Sequence, residues 1–180
     1  MSEQTSTEIR STVTSEGNVE ISIARVEKPT PSENEVLIKV EASPINPSDL
    51  GLLISFAADL DSLSVSGSGD NTVAKMKIHP GLMGAMKPRL DESMQVGNEG
   101  GGVVVDAGAN AKHLIGKTVG VAGGAMYSQY RCVSAQSCLV MEEGTTPAEA
   151  SSSFVNPLTA LAFVETMKME NHTAIINTAA

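Results

Sequence analysis

Apolar and polar residues alternate with a period of two over residues 19–26, where Val19, Ile21 and Ile23 interleave with polar neighbours. The same alternation runs over 36–42, where Val36, Ile38, Val40 and Ala42 oppose Leu37, Lys39 and Glu41. It predicts two strands, each with one buried face. Between them, Glu27-Lys28-Pro29-Thr30-Pro31 cannot continue a ladder, because each proline lacks an N–H and fixes its own φ. Further strand signals at 102–106, 117–121, 127–133 and 138–141 are separated by glycine-rich turns, and such short spacings predict a mainly antiparallel sheet or barrel with peripheral helices.

Two regions depart from this pattern. Residues 55–95 combine the polar, low-complexity stretch Ser64–Thr72 with a methionine- and proline-bearing run, and are expected to form an excursion from the barrel, partly mobile. From residue 156 the period changes. Asn156 followed by Pro157 predicts a helix start, with asparagine as N-cap and proline at the first helical position. Leu158, Leu161, Val164 and Met167 then recur on one face of an amphipathic helix. Asn171-His172 ends it, and the apolar run Thr173–Thr178 predicts a buried parallel strand. Helix, break and strand begin an α/β unit, so the sequence is expected to end inside a second domain. The division expected is an N-terminal tail at 1–15, a main domain at 16–155, and a linking helix and first strand at 156–180.

Composition narrows the picture. In 180 residues, 41% are hydrophobic and 18% charged, which suits a chain with a sizeable core and excludes a disordered or fibrous one. Aromatic residues are only 3%, so the core must be aliphatic. A net charge of −9 disfavours nucleic acid and anionic membrane surfaces as partners. With two cysteines and three histidines there is no disulfide scaffold and no all-cysteine zinc site, and a reducing, cytoplasmic setting is expected. No stretch approaches the roughly 18 apolar residues of a membrane span.

Several apparent motifs carry no chemistry. Gly116-Lys117-Thr118 resembles the end of a phosphate loop, but Ala111 stands where the earlier glycine is required and a strand follows instead of a helix. Gly67-x-Gly69 lacks the preceding strand and third glycine of a dinucleotide fingerprint. Cys132 and Cys138 read as small apolar filler, and His79, His113 and His172 have no ligand-spaced partners. Three segments are more informative. In Pro44-Ile45-Asn46-Pro47-Ser48-Asp49-Leu50, directly after a strand, Asn46 offers an amide and Ser48 a hydroxyl to a ligand, or else the segment caps a helix. Gly97-Asn98-Glu99-Gly100-Gly101-Gly102 implies close backbone approach or positive φ. Asn156-Pro157-Leu158-Thr159-Ala160 places free N–H groups where a negative group is favoured.

In their order and spacing these segments resemble the N-terminal, GroES-like domain of the medium-chain dehydrogenase/reductase superfamily, in its zinc-free quinone oxidoreductase branch, over roughly residues 15 to 180. Asn46 to Asp49 looks like the family's N-x-x-D, and GNEGGGVVVDAG looks like its G-x-E-x-x-G-x-V-x-x-x-G. NPLTAL looks like the helix before the cofactor domain, and TAIINTAA like the first nucleotide-binding strand of a Rossmann domain, cut short. Zinc-dependent members carry Cys where Asn46 stands and Gly-His-Glu where Gly97-Asn98-Glu99 stands, so no metal is expected.

The resemblance implies hydride transfer from NADPH to a quinone or an activated alkene or carbonyl, with most of the cofactor site lying outside this chain and little activity of the chain alone. Asn46 and Thr159 are the candidate cofactor contacts, and Asn46 and Ser48 the candidate catalytic residues. The Thr173–Thr178 edge implies self-association. A non-catalytic GroES-like binding or assembly module is the alternative, because a fold does not fix a function. A zinc alcohol dehydrogenase with displaced ligands is a more remote one.

Overall fold

The structure, a computed structural model, describes residues 4–178. It contains two five-stranded sheets in which every pairing between neighbours is antiparallel. The first holds β1 (Thr5–Thr14), β2 (Asn18–Glu27), β4 (Ala58–Ser66), β5 (Val73–Ile78) and β6 (Ser93–Gln95), in the order β4-β5-β2-β1-β6. The second holds β3 (Glu35–Ala42), β7 (Glu99–Ala107), β8 (Thr118–Ala122), β9 (Tyr130–Ser134) and β10 (Leu139–Val140), in the order β10-β8-β7-β3-β9. Four α-helices accompany them: α1 (Pro47–Leu53), α2 (Met83–Met86), α3 (Pro147–Ser151) and α4 (Val155–Met169). The sheets meet where Ile9 N–H donates to the Tyr127 carbonyl and Gln129 N–H to the Thr7 carbonyl, at 2.8 and 2.9 Å.

The alternating segments at 19–26 and 36–42 are β2 and β3, and the four later signals are β7 to β10. The core is aliphatic, as the scarcity of aromatics requires. One cluster gathers Val36, Ile38, Val104, Val119, Val121 and Met126 within the second sheet; another gathers Val13, Val19, Ala57, Met76 and Ile78 within the first.

Three expectations change. Residues 5–14, placed in an N-terminal tail, form β1, which pairs with β2 along its whole length from Thr5↔Glu27 to Thr14↔Asn18; residues 1–3 lie outside the described residues. Its four buried positions are Ser6, Glu8, Ser11 and Val13, so the inward face is mostly polar and leaves little hydrophobic alternation to read. Much of residues 55–95, expected to stand apart from the barrel, is built into the first sheet. β4 and β5 form a hairpin on β2, in register Val19↔Met76 and Ile21↔Ala74, and they send Met76 and Ile78 into the core. The hairpin's connection is the later part of the low-complexity stretch, residues 67–72, where Gly67 holds φ +77° against Asn71. Finally, Thr173–Thr178, expected to be a strand, is assigned to no helix or strand, and Ile175 and Ile176 are exposed. Ala179 and Ala180 lie outside the described residues.

Candidate functional site

The glycines of β7 decide how closely its neighbours approach. A side chain at Gly102 would meet the Lys39 carbonyl oxygen at 2.0 Å, and one at Gly101 would meet the Pro147 oxygen at 2.4 Å and the Ser151 nitrogen at 2.6 Å. Close approach, with β3 on one side and α3 on the other, is therefore their role. The positive φ of the segment falls at Gly97 instead, at +97°, where a Cβ would stand 2.6 Å from the Tyr127 ring.

This packing brings the loop after β3 against the start of β7. Asp49, in the first turn of α1 and buried, clamps both: its Oδ2 accepts from Asn46 N–H and its Oδ1 from Asn98 N–H, each at 2.7 Å. The Asn98 amide in turn donates to Ser48 Oγ at 2.9 Å. Glu99, at 0% exposure, is the next link. Its Oε1 accepts from Asn46 Nδ2 at 2.9 Å, and its Oε2 accepts from the backbone N–H groups of Phe154 and Val155, both at 2.9 Å. Asn156 Nδ2 donates to Asn46 Oδ1 at 3.3 Å. Helix α4 thus starts two residues earlier than expected, with Phe154 as its N-cap residue and no cap from its own side chain. Glu99 supplies the missing acceptor from another element, at the positive end of the helix dipole.

Asn46, Ser48 and Asn156 therefore come together around Asp49 and Glu99. Asn46 is buried and its amide is engaged at both ends, while Ser48 is exposed and accepts from Asn98. Thr159 lies one turn along α4, exposed, its hydroxyl donating to the Val155 carbonyl at 2.6 Å. Glu99 and Asp49 are the residues that sequence reading left without a role. The signals were an acid set among glycines in a strand, and an acid three positions after Asn46.

Beside this cluster runs a groove of about 420 Å³ whose walls include Ile9, Ile21, Val40, Ile45, Leu53 and Met126. Its hydroxyls are occupied: Ser43 donates to the Met126 carbonyl, Ser128 to the Ala125 carbonyl, and Tyr127 to the Pro44 carbonyl. Burial, together with the nearby Asp49 carboxylate, pushes the Tyr127 phenol up to about 12. Elsewhere, burial pushes the Cys132 and Cys138 thiols up to about 11, which suits filler better than nucleophile.

A dinucleotide needs unpaired donors for its carboxamide and phosphates. Among the described residues, the buried side-chain nitrogen and oxygen atoms without partners are Ser6 Oγ, Arg89 Nε and Arg131 Nε, none of them in the Asn46–Asp49, Asn98–Glu99 or Asn156 segments. The buried side chains of these segments thus hold no donor in reserve for NADPH. No group of three or more His, Cys, Asp or Glu side chains able to hold a metal occurs among them either.

No protein-family model and no curated protein matches the chain. Solved structures do. A quinone oxidoreductase from Coxiella burnetii superposes with a TM-score of 0.61 at 18% identity, over 92% of this chain and 46% of that one. A protein of Mesorhizobium loti assigned as an NADPH:quinone reductase gives 0.62 at 21% identity, over 94% and 46%. One from Bacillus thuringiensis, assigned likewise, gives 0.61 at 23% identity, over 93% and 42%. The chain spans less than half the length of these proteins. With two packed antiparallel sheets, few helices and a match confined to their N-terminal portion, the chain has the fold of the GroES-like N-terminal domain of the medium-chain dehydrogenase/reductase superfamily, as the sequence resemblance implied.

Proposed function

We propose that the chain is the substrate-side domain of a zinc-independent, NADPH-dependent oxidoreductase acting on a quinone or on an activated alkene or carbonyl. The groove beside Asn46–Asp49 carries this reading. Its walls are mostly aliphatic, with Glu41 and the Tyr127 ring among them, and its three hydroxyls already donate to backbone carbonyls, so it holds a flat apolar ring by contact and offers no poised hydroxyl donor. A quinone suits such a site, because the negative charge of its reduced form spreads over the ring and the proton can come from water at the open mouth. An isolated ketone would need an acid or a Lewis-acid metal at its oxygen.

Zinc independence is supported by the donor set. Asn46 donates its amide to Glu99, so the two side chains satisfy each other instead of turning lone pairs toward a shared point. The cofactor itself would be held mainly by residues other than those described, with Asn46 and Thr159 bordering its nicotinamide end. The exposed apolar residues of α4 favour a second reading, a binding module without catalysis.

Joining the chain, after α4, to the nucleotide-binding half of the Coxiella burnetii enzyme tests both. The expected result is NADPH consumption that depends on added duroquinone and survives a zinc chelator. A fused protein that binds NADPH but shows no quinone-dependent consumption contradicts the enzyme reading, and loss of activity on chelation contradicts zinc independence.

A further inference from the structure

We propose that Glu99 is a latch: it sets the orientation of α4 relative to the barrel, and Asn46 is the part that holds the latch in register. This inference rests on geometry and is independent of the reaction. Helix α4 is 15 residues long, yet none of its residues is buried, and Leu158, Leu161 and Phe163 are each more than half exposed. Apolar packing therefore does not fix its direction. What fixes it is a set of hydrogen bonds at its first turn. The Phe154 and Val155 N–H groups converge on one oxygen of Glu99, and the Asn156 amide reaches Asn46, which itself donates to the other oxygen of Glu99.

Each partner has one polarity that works. Glu99 can only accept when ionised, and three donors face it. Asn46 must donate to Glu99 and accept from Asn156 at the same time. Glu99 is in turn held from behind: it opens β7, whose next three residues are the close-packed glycines, so the carboxylate does not follow the helix if the helix moves. The partners of Glu99 are N–H groups of Asn46, Phe154 and Val155, none on a cationic side chain, so a change at any one of them alters the balance of donors and acceptors without removing an ion pair. A short polar pivot of this kind lets a helix swing about its N-terminus while the barrel stays intact.

The polarity of the pair supplies a test that a merely structural role would not pass. In Glu99→Gln, the amide keeps its oxygen toward Phe154 and Val155 but without the charge, and its NH₂ faces the NH₂ of Asn46 unless the Asn46 and Asn156 amides both turn over. In Asn46→Asp, two carboxylates face each other without a proton donor between them. In the double variant, Glu99→Gln with Asn46→Asp, the donor and acceptor are exchanged. The glutamine introduced in β7 donates its amide to the aspartate introduced before α1, that aspartate still accepts from Asn156, and the glutamine oxygen serves the helix.

Hydrogen exchange on the whole 180-residue chain reads this out. The expected result is exchange at the Phe154 and Val155 amides about tenfold faster or more in each single variant, the scale of one lost charge-assisted hydrogen bond. The amides of β1, β2, β3 and β7 should keep their protection, and the double variant should return α4 toward the parent rates. Should a single variant fail to fold, recovery of folding and of α4 protection in the double variant supports the latch equally. Unchanged α4 exchange in both single variants, parallel loss over the whole chain, or additive loss in the double variant overturns it.

Discussion

Helices α3 and α4 follow one another in the chain, and both carry a proline in their first turn, yet they are held in opposite ways. The five-residue α3 is self-capped and embedded. Thr146 Oγ1 accepts from Glu149 N–H while Glu149 accepts from Thr146 N–H, and Ala150 and Ser151 are buried against the glycines of β7 and β8. The fifteen-residue α4 has no cap of its own and no buried residue. Length and helix propensity thus say little about attachment. A helix too short to persist alone is fixed by its seat, and one long enough to persist is fixed only by a borrowed carboxylate.

The largest break in this comparison should come from the seat. In Gly101→Ala the added methyl meets backbone atoms of α3 that cannot rotate away, the Pro147 oxygen and the Ser151 nitrogen, so a loss of about 3 kcal/mol is expected in urea unfolding, at the upper end for an overpacked site. A loss below about 0.5 kcal/mol, no more than an ordinary surface change, would show that α3 is free to lift and is not seated. Removing the cap of α3 is the next step down. Thr146→Ala should cost about 1 kcal/mol, the usual value for a lost N-cap, and the effect should appear as a lower melting temperature.

The same change of scale applied to α4 should do almost nothing. Leu161→Ser, on a residue 53% exposed, should stay within about 0.5 kcal/mol of the parent, because little apolar surface is buried there to lose. A loss comparable with that of Gly101→Ala would mean that α4 packs on something, and the contrast between the helices would fall.

Alkaline titration gives the smallest signal. The Tyr127 phenol titrates near 10.0 when unfolded and is pushed up to about 12 in the folded chain, so the folded state keeps a proton that the unfolded state has lost. Its contribution to stability is complete below pH 10.0 and disappears as pH rises from there to about 12. The two thiols act in the same direction between 9.0 and about 11. Tyr127→Phe should therefore flatten the stability profile only in its upper part, as followed by circular dichroism against pH; an unchanged profile would remove Tyr127 from the account.

How much of this was legible in the sequence follows from where each interaction lies. Strands β2, β3 and β7 to β10 are readable because their partners impose alternation locally and glycines mark their turns. β1 is hidden because Ser6, Glu8 and Ser11 occupy its inner face, with Glu8 held by Arg10 and Gln95. The β4–β5 hairpin is hidden because its connection has the composition of a linker. In the site, Asn46 and Asp49 could be found from their spacing of three. The Glu99 bond to α4 could not, since donor and acceptor lie 55 residues apart and Asn156-Pro157 offers a local start in its place. Local rules find caps within a turn; a cap brought by tertiary packing leaves no local mark.

The claim that the groove beside Asn46–Asp49 is the substrate face is tested most directly by nuclear magnetic resonance titration of the whole chain with 2-cyclohexen-1-one, a soluble activated alkene. At a mildly acidic pH the thiols, pushed up to about 11, stay protonated and do not add to it. Saturable shifts centred on Ser43, Ile45, Met126 and Tyr127, weakened in Ile45→Ser at a groove residue that is 70% exposed, are predicted. Shifts that gather on α4 or on the far side of the first sheet, or no saturable shifts at millimolar ligand, would contradict the assignment.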